Sequence, residues 1–281
     1  RMNFTLTHEF HDDLSADWTT LLRENFLKVP FLEYEYQKLW WETRGGGEWP
    51  DARLMLITAR EGSRLVGIAP LFVAQLPDGT TALLNVGSIE VSDYLDLIVS
   101  PEVRDEFVSG LLDFILKQNL PGLESVNLYN LLDSSPTLAT LQTSATNAGW
   151  QLTLEKLQHC PHIPLPGDWE TYLAGIDKKQ RHEIRRKIRR AEEGENSVSW
   201  YIVSDAATLD TNVDAFLELM KNDNAKETFL RPAMQQFMRR LVHYTFDCGC
   251  LQLAFLEVDG VKAAAYLSFE YDNQIRVYDS G

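Results

Sequence analysis

The sequence predicts an α/β chain of the α+β kind. It divides into two halves, each a mixed, largely antiparallel sheet flanked by helices, with the second half incomplete at its C-terminal end. Three observations predict it. Strand and helix patterns alternate through the first 165 residues. The breaker cluster Pro164-Leu165-Pro166-Gly167 then interrupts the pattern. After it, the order strand, helix, helix, hairpin, hairpin occurs a second time, as an internal duplication requires. That junction sets a first domain over residues 1–165 and a second over residues 166–281.

In the first half, Asn3–His8 alternates like a strand, and Leu14–Leu27 carries apolar residues at helical spacing behind the capping residues Ser15 and Asp17. Phe31–Trp41 reads as a second helix, ending before a flexible Gly45-Gly46-Gly47. Arg53–Arg60 and Arg64–Ala74 flank Glu61-Gly62-Ser63, a hairpin signal, and Pro77-Asp78-Gly79 turns the chain into Thr81–Val86. Tyr94–Val99 reads as a strand, followed by a helix (Val103–Lys117), a strand (Ser125–Tyr129), a helix (Pro136–Ala148) and two strands, Gln151–Lys156 and His159–Leu165.

The second half runs through Asp168–Ala174 into a basic helix, then reads as a strand (Ser197–Val203), helices Leu209–Met220 and Pro232–Tyr244, and strands Leu251–Val258, Val261–Glu270 and Ile275–Tyr278. Trp18 and Phe216 are 198 residues apart, as are Leu21 and Leu219, and Gly62 and Gly260. At the second turn Asp78 and Asp272 are 194 apart, and on that offset Gly281 corresponds to about Gly87, so the second copy has no counterpart of the stretch that follows in the first. A sheet left open there offers an edge through which copies of the chain can associate.

Apolar content of 44% supports a real core, and no apolar run approaches the ~20 residues of a membrane span. The start of the chain shows no apolar signal segment, and three cysteines make no disulfide framework, so a reducing cytoplasm is expected. Net charge is −15, yet residues 178–190 hold eight Lys/Arg and one Glu, a local +7 that leaves −22 for the rest. An acidic body repels nucleic acid and anionic membrane at long range, so a polyanion has to meet the chain at that helix. Ile184 and Ile188 form one stripe there, beside Lys178, Arg181, Arg185 and Arg189. Three readings stand: a solvated face that offsets the acidic body, a site for a phosphate-bearing ligand using Lys179, Arg181, Arg185 and Arg186, since guanidinium forks match phosphate oxygens, or a nucleic-acid surface.

Gly45-Gly46-Gly47 lacks the Lys-Ser/Thr of a phosphate loop, and Glu48 follows it. Neither His159-Cys160-Pro161-His162 nor Cys248-Gly249-Cys250 has zinc-ligand spacing, and Cys160 reads as a buried structural thiol. No metal is predicted. There is no Gly-x-Ser-x-Gly elbow and no His-Glu-x-x-His, which argues against a serine hydrolase or a zincin. Asp93, Tyr94 and Asp96 lie beyond the Val86-Gly87-Ser88 turn, and Tyr278, Asp279 and Ser280 end the last strand. Carboxylates and a tyrosine in such places suit acid/base work, although ordinary strand-end polarity accounts for them equally.

Several stretches, in order, resemble one family: Leu65-Val66-Gly67-Ile68-Ala69-Pro70-Leu71, Ser92-Asp93-Tyr94-Leu95-Asp96, Cys160-Pro161-His162-Ile163-Pro164-Leu165, Trp169-Glu170-Thr171-Tyr172-Leu173, the Lys179-to-Arg190 run, and Val277-Tyr278-Asp279-Ser280-Gly281. They are similar to the GNAT-like branch of cellulose-biosynthesis-associated acetyltransferases, related to the Fem peptidyltransferases, which also pair two GNAT-like halves. The resemblance implies acyl transfer, from acyl-CoA as co-substrate, to the amine of a small molecule or a cell-envelope precursor. It implies no covalent intermediate, a backbone N–H on the fourth strand that polarises the carbonyl, and a tyrosine or serine that protonates the leaving thiolate. On that basis Tyr278 and Ser280 stand near the reaction centre, with Asp93, Tyr94 and Asp96 on the acceptor side. The family holds the CoA pyrophosphate at the loop and helix after the fourth strand, a stretch this sequence does not reach. In the first copy the corresponding turn, Val99-Ser100-Pro101-Glu102, is acidic and lacks glycines, so the first half is not expected to bind CoA. Two alternatives stay open: a Fem-like transferase drawing on aminoacyl-tRNA through the basic helix, and a non-catalytic binding module that keeps the fold.

Overall fold

The computed structural model describes residues 1–281. The first half runs β1 (Met2–Thr7), α1 (Ser15–Glu24), α2 (Tyr34–Gly47), β2 (Arg53–Glu61), β3 (Arg64–Gln75), β4 (Thr81–Asn85), β5 (Ile98–Val99), α3 (Arg104–Lys117), β6 (Leu123–Asn127) and α4 (Pro136–Asn147). The second runs α5 (Trp169–Gly175), α6 (Lys178–Glu193), β7 (Val198–Ile202), α7 (Leu209–Met220), α8 (Asn224–Phe229), α9 (Pro232–Asp247), β8 (Leu251–Val258), β9 (Val261–Tyr271) and β10 (Gln274–Ser280). The first sheet has the order β1-β2-β3-β4-β6, with β5 on β3, and is antiparallel except where β6 runs parallel to β4. The second, β10-β9-β8-β7, is antiparallel throughout.

The two sheets repeat each other in detail. Hairpin β2–β3 closes with Glu61 opposite Arg64, and β8–β9 with Val258 opposite Val261, each around a two-residue turn. Both then slip register, between Ala59 and Arg60 and between Leu256 and Glu257, positions 197 residues apart. A bulge recurring at the sequence offset is a structural trace of duplication, because bulges are built features rather than defects. At the second hairpin Asp259 and Gly260 both have positive φ, as a turn that matches strand twist requires.

One core of 40 buried residues joins the inner faces of both sheets, with Trp18, Phe31, Trp40 and Phe72 from the first half and Phe216, Phe237, Phe255 and Phe269 from the second. Its seam is α2 against α9. Tyr36 meets Phe237 edge-on with centroids 6.2 Å apart, and Glu42 pairs with Arg240. Further along, the Tyr271 hydroxyl donates to Glu33 at 2.6 Å. A second core of 13 residues fills the space between the first sheet's other face and α3, where Phe107, Leu111 and Ile115 meet Ile57, Val66 and Leu71.

Four expectations are corrected. Gly45-Gly46-Gly47 is a tightly packed turn, not a flexible connection. Arg44 to Gly47 all have positive φ, and a Cβ on Gly46 would lie 2.6 Å from Met234 Cε of α9. Residues 151–156 and 159–165 run exposed without a strand partner, since alternation alone supplies no ladder for their backbone groups. Residues 94–97 are loop, because local bonds outcompete a sheet there: Leu95 N donates to Asn130 O at 2.9 Å and Leu97 N to Asp96 Oδ1 at 2.7 Å. Helix α8 was not foreseen; its cap, Asp223, accepts from Ala225 N and Lys226 N.

Candidate active site

The end of β10 meets the loop that follows β4, residues 86–97, and this contact gathers titratable side chains from both halves. Local chemistry shapes each side. In the loop, Gly87 has φ +106°, and a Cβ there would lie 2.8 Å from Leu95 and 2.9 Å from Ser92 Oγ, so the chain folds back only with glycine. Asn130 Nδ2 donates to Ile89 O (3.1 Å) and Ser92 O (2.7 Å), and Trp49 Nε1 donates to Ser88 O (2.9 Å). These three bonds tie the loop to the segments around it.

On β10 the register against β9 slips between Val277 and Asp279, leaving Tyr278 without an opposite residue. The extra residue of a bulge is unpaired and re-aims its side chain. Here the Tyr278 ring turns inward onto Phe269, with centroids 4.9 Å apart, and its hydroxyl donates to Val91 O at 2.8 Å. The Tyr36 hydroxyl donates to the same carbonyl at 2.6 Å. Burial, helped by Tyr36, Asp93 and Asp279, holds the Tyr278 hydroxyl protonated well above its usual range.

Asp93 faces this strand. Burial pushes its carboxyl up to about 6; Arg276 opposes the rise and Asp279 adds to it. Arg276 lies over the Tyr94 ring at 5.1 Å, its Nε buried without a hydrogen-bond partner. Burial and contact with the Cys160 thiol raise the Tyr94 hydroxyl. Asp279 pairs with Lys226 of α8 at 3.2 Å, and Lys226 also donates to Ser280 Oγ at 3.1 Å and to the Ser280 carbonyl. A carboxyl near neutrality beside a cation, a neutral tyrosine and an unpaired strand position form a set suited to proton transfer.

The structure thus brings Asp93, Tyr94, Tyr278 and Ser280 together. It does not bring Asp96. That carboxylate is buried and accepts from Ser135 Oγ (2.5 Å) and Thr137 Oγ1 (2.7 Å), bracing the start of α4. Cys160 is exposed, not buried, because its segment runs over the surface. The basic residues stand apart. No residue of α6 is buried, and its side-chain bonds stay within residues 168–194. Arg181 caps α5 by donating to Leu173 O and Ala174 O, both at 3.2 Å; Arg185 pairs with Glu170 (2.8 Å) and Arg186 with Glu183 (2.6 Å). Lys179 has no ion pair. Sequence reading missed Arg276, Lys226 and Cys160 as members of this site, because no local pattern singles them out. Two small cavities, ≈ 130 and ≈ 250 Å³, lie elsewhere, beside Arg240 and beside Tyr271.

At the start of α3, the site that would correspond in the first half, Asp105 and Glu106 occupy the first turn, and Glu102 precedes it. Ser100 and Arg64 hold the Glu102 carboxyl down to about 2, so this helix start presents negative charge. No helix is long and apolar enough to cross a membrane.

Residues 178–281 match the family model described as an acetyltransferase (GNAT) domain. The crystal structure of FemX shares the fold, with a TM-score of 0.53 at 13% identity, over 86% of this chain and 56% of FemX, so the chain spans little more than half of that protein. A conserved protein of unknown function from Bacteroides thetaiotaomicron aligns at 12% identity over 98% of this chain and 80% of its own, with a TM-score of 0.49. A tandem GNAT protein from the clavulanic acid biosynthesis pathway aligns at 13% identity over 99% of this chain and 79% of its own, with a TM-score of 0.37. No curated protein matches.

Proposed function

We propose that this chain, whose fold is GNAT-like and related to FemX and whose residues 178–281 match the GNAT domain, is an N-acyltransferase using acyl-CoA and an amine acceptor. One observation carries the reading: the bulge at Tyr278 sits in the second half, and Asp93 of the first half faces that strand with its carboxyl raised to about 6 by burial. The acceptor arrives as an ammonium ion and has to lose a proton before its nitrogen attacks the thioester. Asp93 receives that proton, since a carboxyl near 6 is ionised at neutral pH yet still basic. A backbone N–H at the bulge polarises the thioester carbonyl, and the Tyr278 hydroxyl, kept protonated, returns a proton to the leaving thiolate. Tyr94, under Arg276, borders the acceptor side, and Ser280 is held by Lys226. In this reading residues 1–165 supply the acceptor wall and residues 166–281 the acyl-donor half. The acceptor is a small molecule or a cell-envelope precursor, and the reaction takes place in the cytoplasm, where acyl-CoA is made.

The test is release of free CoA thiol from acetyl-CoA across a panel of primary amines. Asp93→Asn and Tyr278→Phe are expected to lower turnover by about 10²-fold or more, the scale of one acid/base group. If no amine raises thiol release above background and calorimetry detects no acyl-CoA binding, the reading is wrong.

A second reading rests on α6, which projects its cations away from the acidic body. A Fem-like transferase would use it to hold aminoacyl-tRNA. Binding would then weaken steeply between low and physiological salt, and a flat salt response rejects it.

A further inference from the structure

The sequence motif that the proposed transfer does not use is Cys248-Gly249-Cys250. It closes α9 with a Schellman turn. Cys250 N donates to Thr245 O (2.9 Å) and Gly249 N to Phe246 O (3.0 Å), with Gly249 in the left-handed region at φ +76°. The far side is also tied, since Glu270 N of β9 donates to Cys250 O at 2.8 Å. The turn therefore holds the residues on either side of the glycine in one fixed relation, and their sulfurs lie 2.9 Å apart. The two thiols differ in access: Cys248 is exposed, Cys250 is buried.

We propose that Cys248 and Cys250 form a dithiol site that exchanges with small disulfides of the glutathione class, Cys248 attacking and Cys250 resolving. Two thiols already in contact need little backbone movement to bridge, and the exposed one is the one a solution disulfide reaches. The electrostatics agree. The hydrogen bond from Cys250 brings the Cys248 thiol down to about 7, while burial and Glu33 oppose it. The same bond, with burial, pushes Cys250 up, so one thiolate is favoured at a time. Tyr244 and Tyr271 complete the surroundings, each held protonated first by burial.

The exchange balances. The Cys248 thiolate attacks one sulfur of the small disulfide, that S–S bond breaks, and one small thiolate leaves and takes up a proton. Once Cys248 is a mixed disulfide, the bond that raised Cys250 is gone. Cys250 then loses its proton to solvent and attacks the Cys248 sulfur, and the second small thiol departs. The protein is oxidised by two electrons, and one small disulfide becomes two thiols.

The test uses the Cys160→Ser chain, which leaves only this pair, treated with oxidised glutathione, quenched with acid and weighed by intact mass spectrometry. The expected product is lighter by two hydrogen atoms and carries no glutathione. In the same background Cys250→Ser is expected to trap one glutathione on Cys248, and Cys248→Ser to react at least tenfold more slowly. A glutathione that persists on Cys248 while Cys250 is present overturns the proposal. So does a chain that stays unreacted, or one that forms disulfide-linked dimers instead. Circular dichroism of both serine variants checks that the turn has folded.

Discussion

Replacing Asp93 by asparagine keeps the side chain's shape and removes its charge, which makes it the most informative single change in the molecule. The folded protein holds this carboxyl at about 6 against an ordinary 3.8. A raised pKa means the folded state binds the proton more tightly than the unfolded state. Well below pH 3.8 both states are protonated and nothing is lost. As pH rises toward 6 the unfolded state ionises first, and stability falls; above 6 the loss is complete. Two units at 1.36 kcal/mol each give about 3 kcal/mol as the ceiling. The side chain is only partly buried, and solvent screening brings the expected effect to about 1–2 kcal/mol. Asp93→Asn is therefore expected to differ from the parent chain by only a small part of that margin in urea unfolding at pH 4 and to exceed it by the full margin at pH 7.5. Every other titrating group cancels in the difference. A variant less stable than the parent at pH 7.5 would falsify the account, because it would mean that attraction to Arg276 outweighs burial. A difference that does not change with pH refutes it equally.

Three further outcomes follow from packing and charge. Gly46→Ala forces a positive φ on a side chain that also meets Met234, so a loss of about 2–3 kcal/mol in urea unfolding is expected; a neutral result means the α2–α9 seam yields. Tyr278→Phe keeps the ring on Phe269 but removes the bond to Val91 O, which Tyr36 still satisfies, so stability is expected to fall by about 1 kcal/mol or less. Changing Arg185 and Arg186 together to Gln breaks only exposed ion pairs, and the thermal unfolding midpoint is expected to stay where it is; a clear shift would show that α6 supports the core.

Much of the fold was legible because periodicity reports burial directly. Leu209–Met220 is helical over those residues because Val213, Phe216 and Leu217 fall on one buried face. The repeat was legible because turn residues such as Asp259-Gly260 are dictated locally. What failed depends on partners distant in the chain. Alternation over residues 151–165 looked like strand, but no edge receives it. Asp96 resembled Asp93 in the sequence, yet Ser135 and Thr137, some forty residues on, claim its carboxylate. Arg276 and Lys226 gave no signal that singled them out. Their relevance comes from where β10 and α8 meet the loop of the other half, and no spacing within either half encodes that. Cys160 failed for the same reason: its surroundings are set by Tyr94, far back along the chain.

The single core shared by the two sheets has a consequence for how the molecule comes to exist. Trp18 and Phe31 from one copy and Phe237 and Phe269 from the other lie in the same apolar cluster, so neither copy finishes its interior by itself. A first copy folded without the second would leave the inner face of its sheet exposed to water. Asp93 and Tyr278 therefore become neighbours at the moment the chain is committed to its native state. In such an architecture a half-folded molecule has no contact between Asp93 and Tyr278, and that pair exists only in the finished fold.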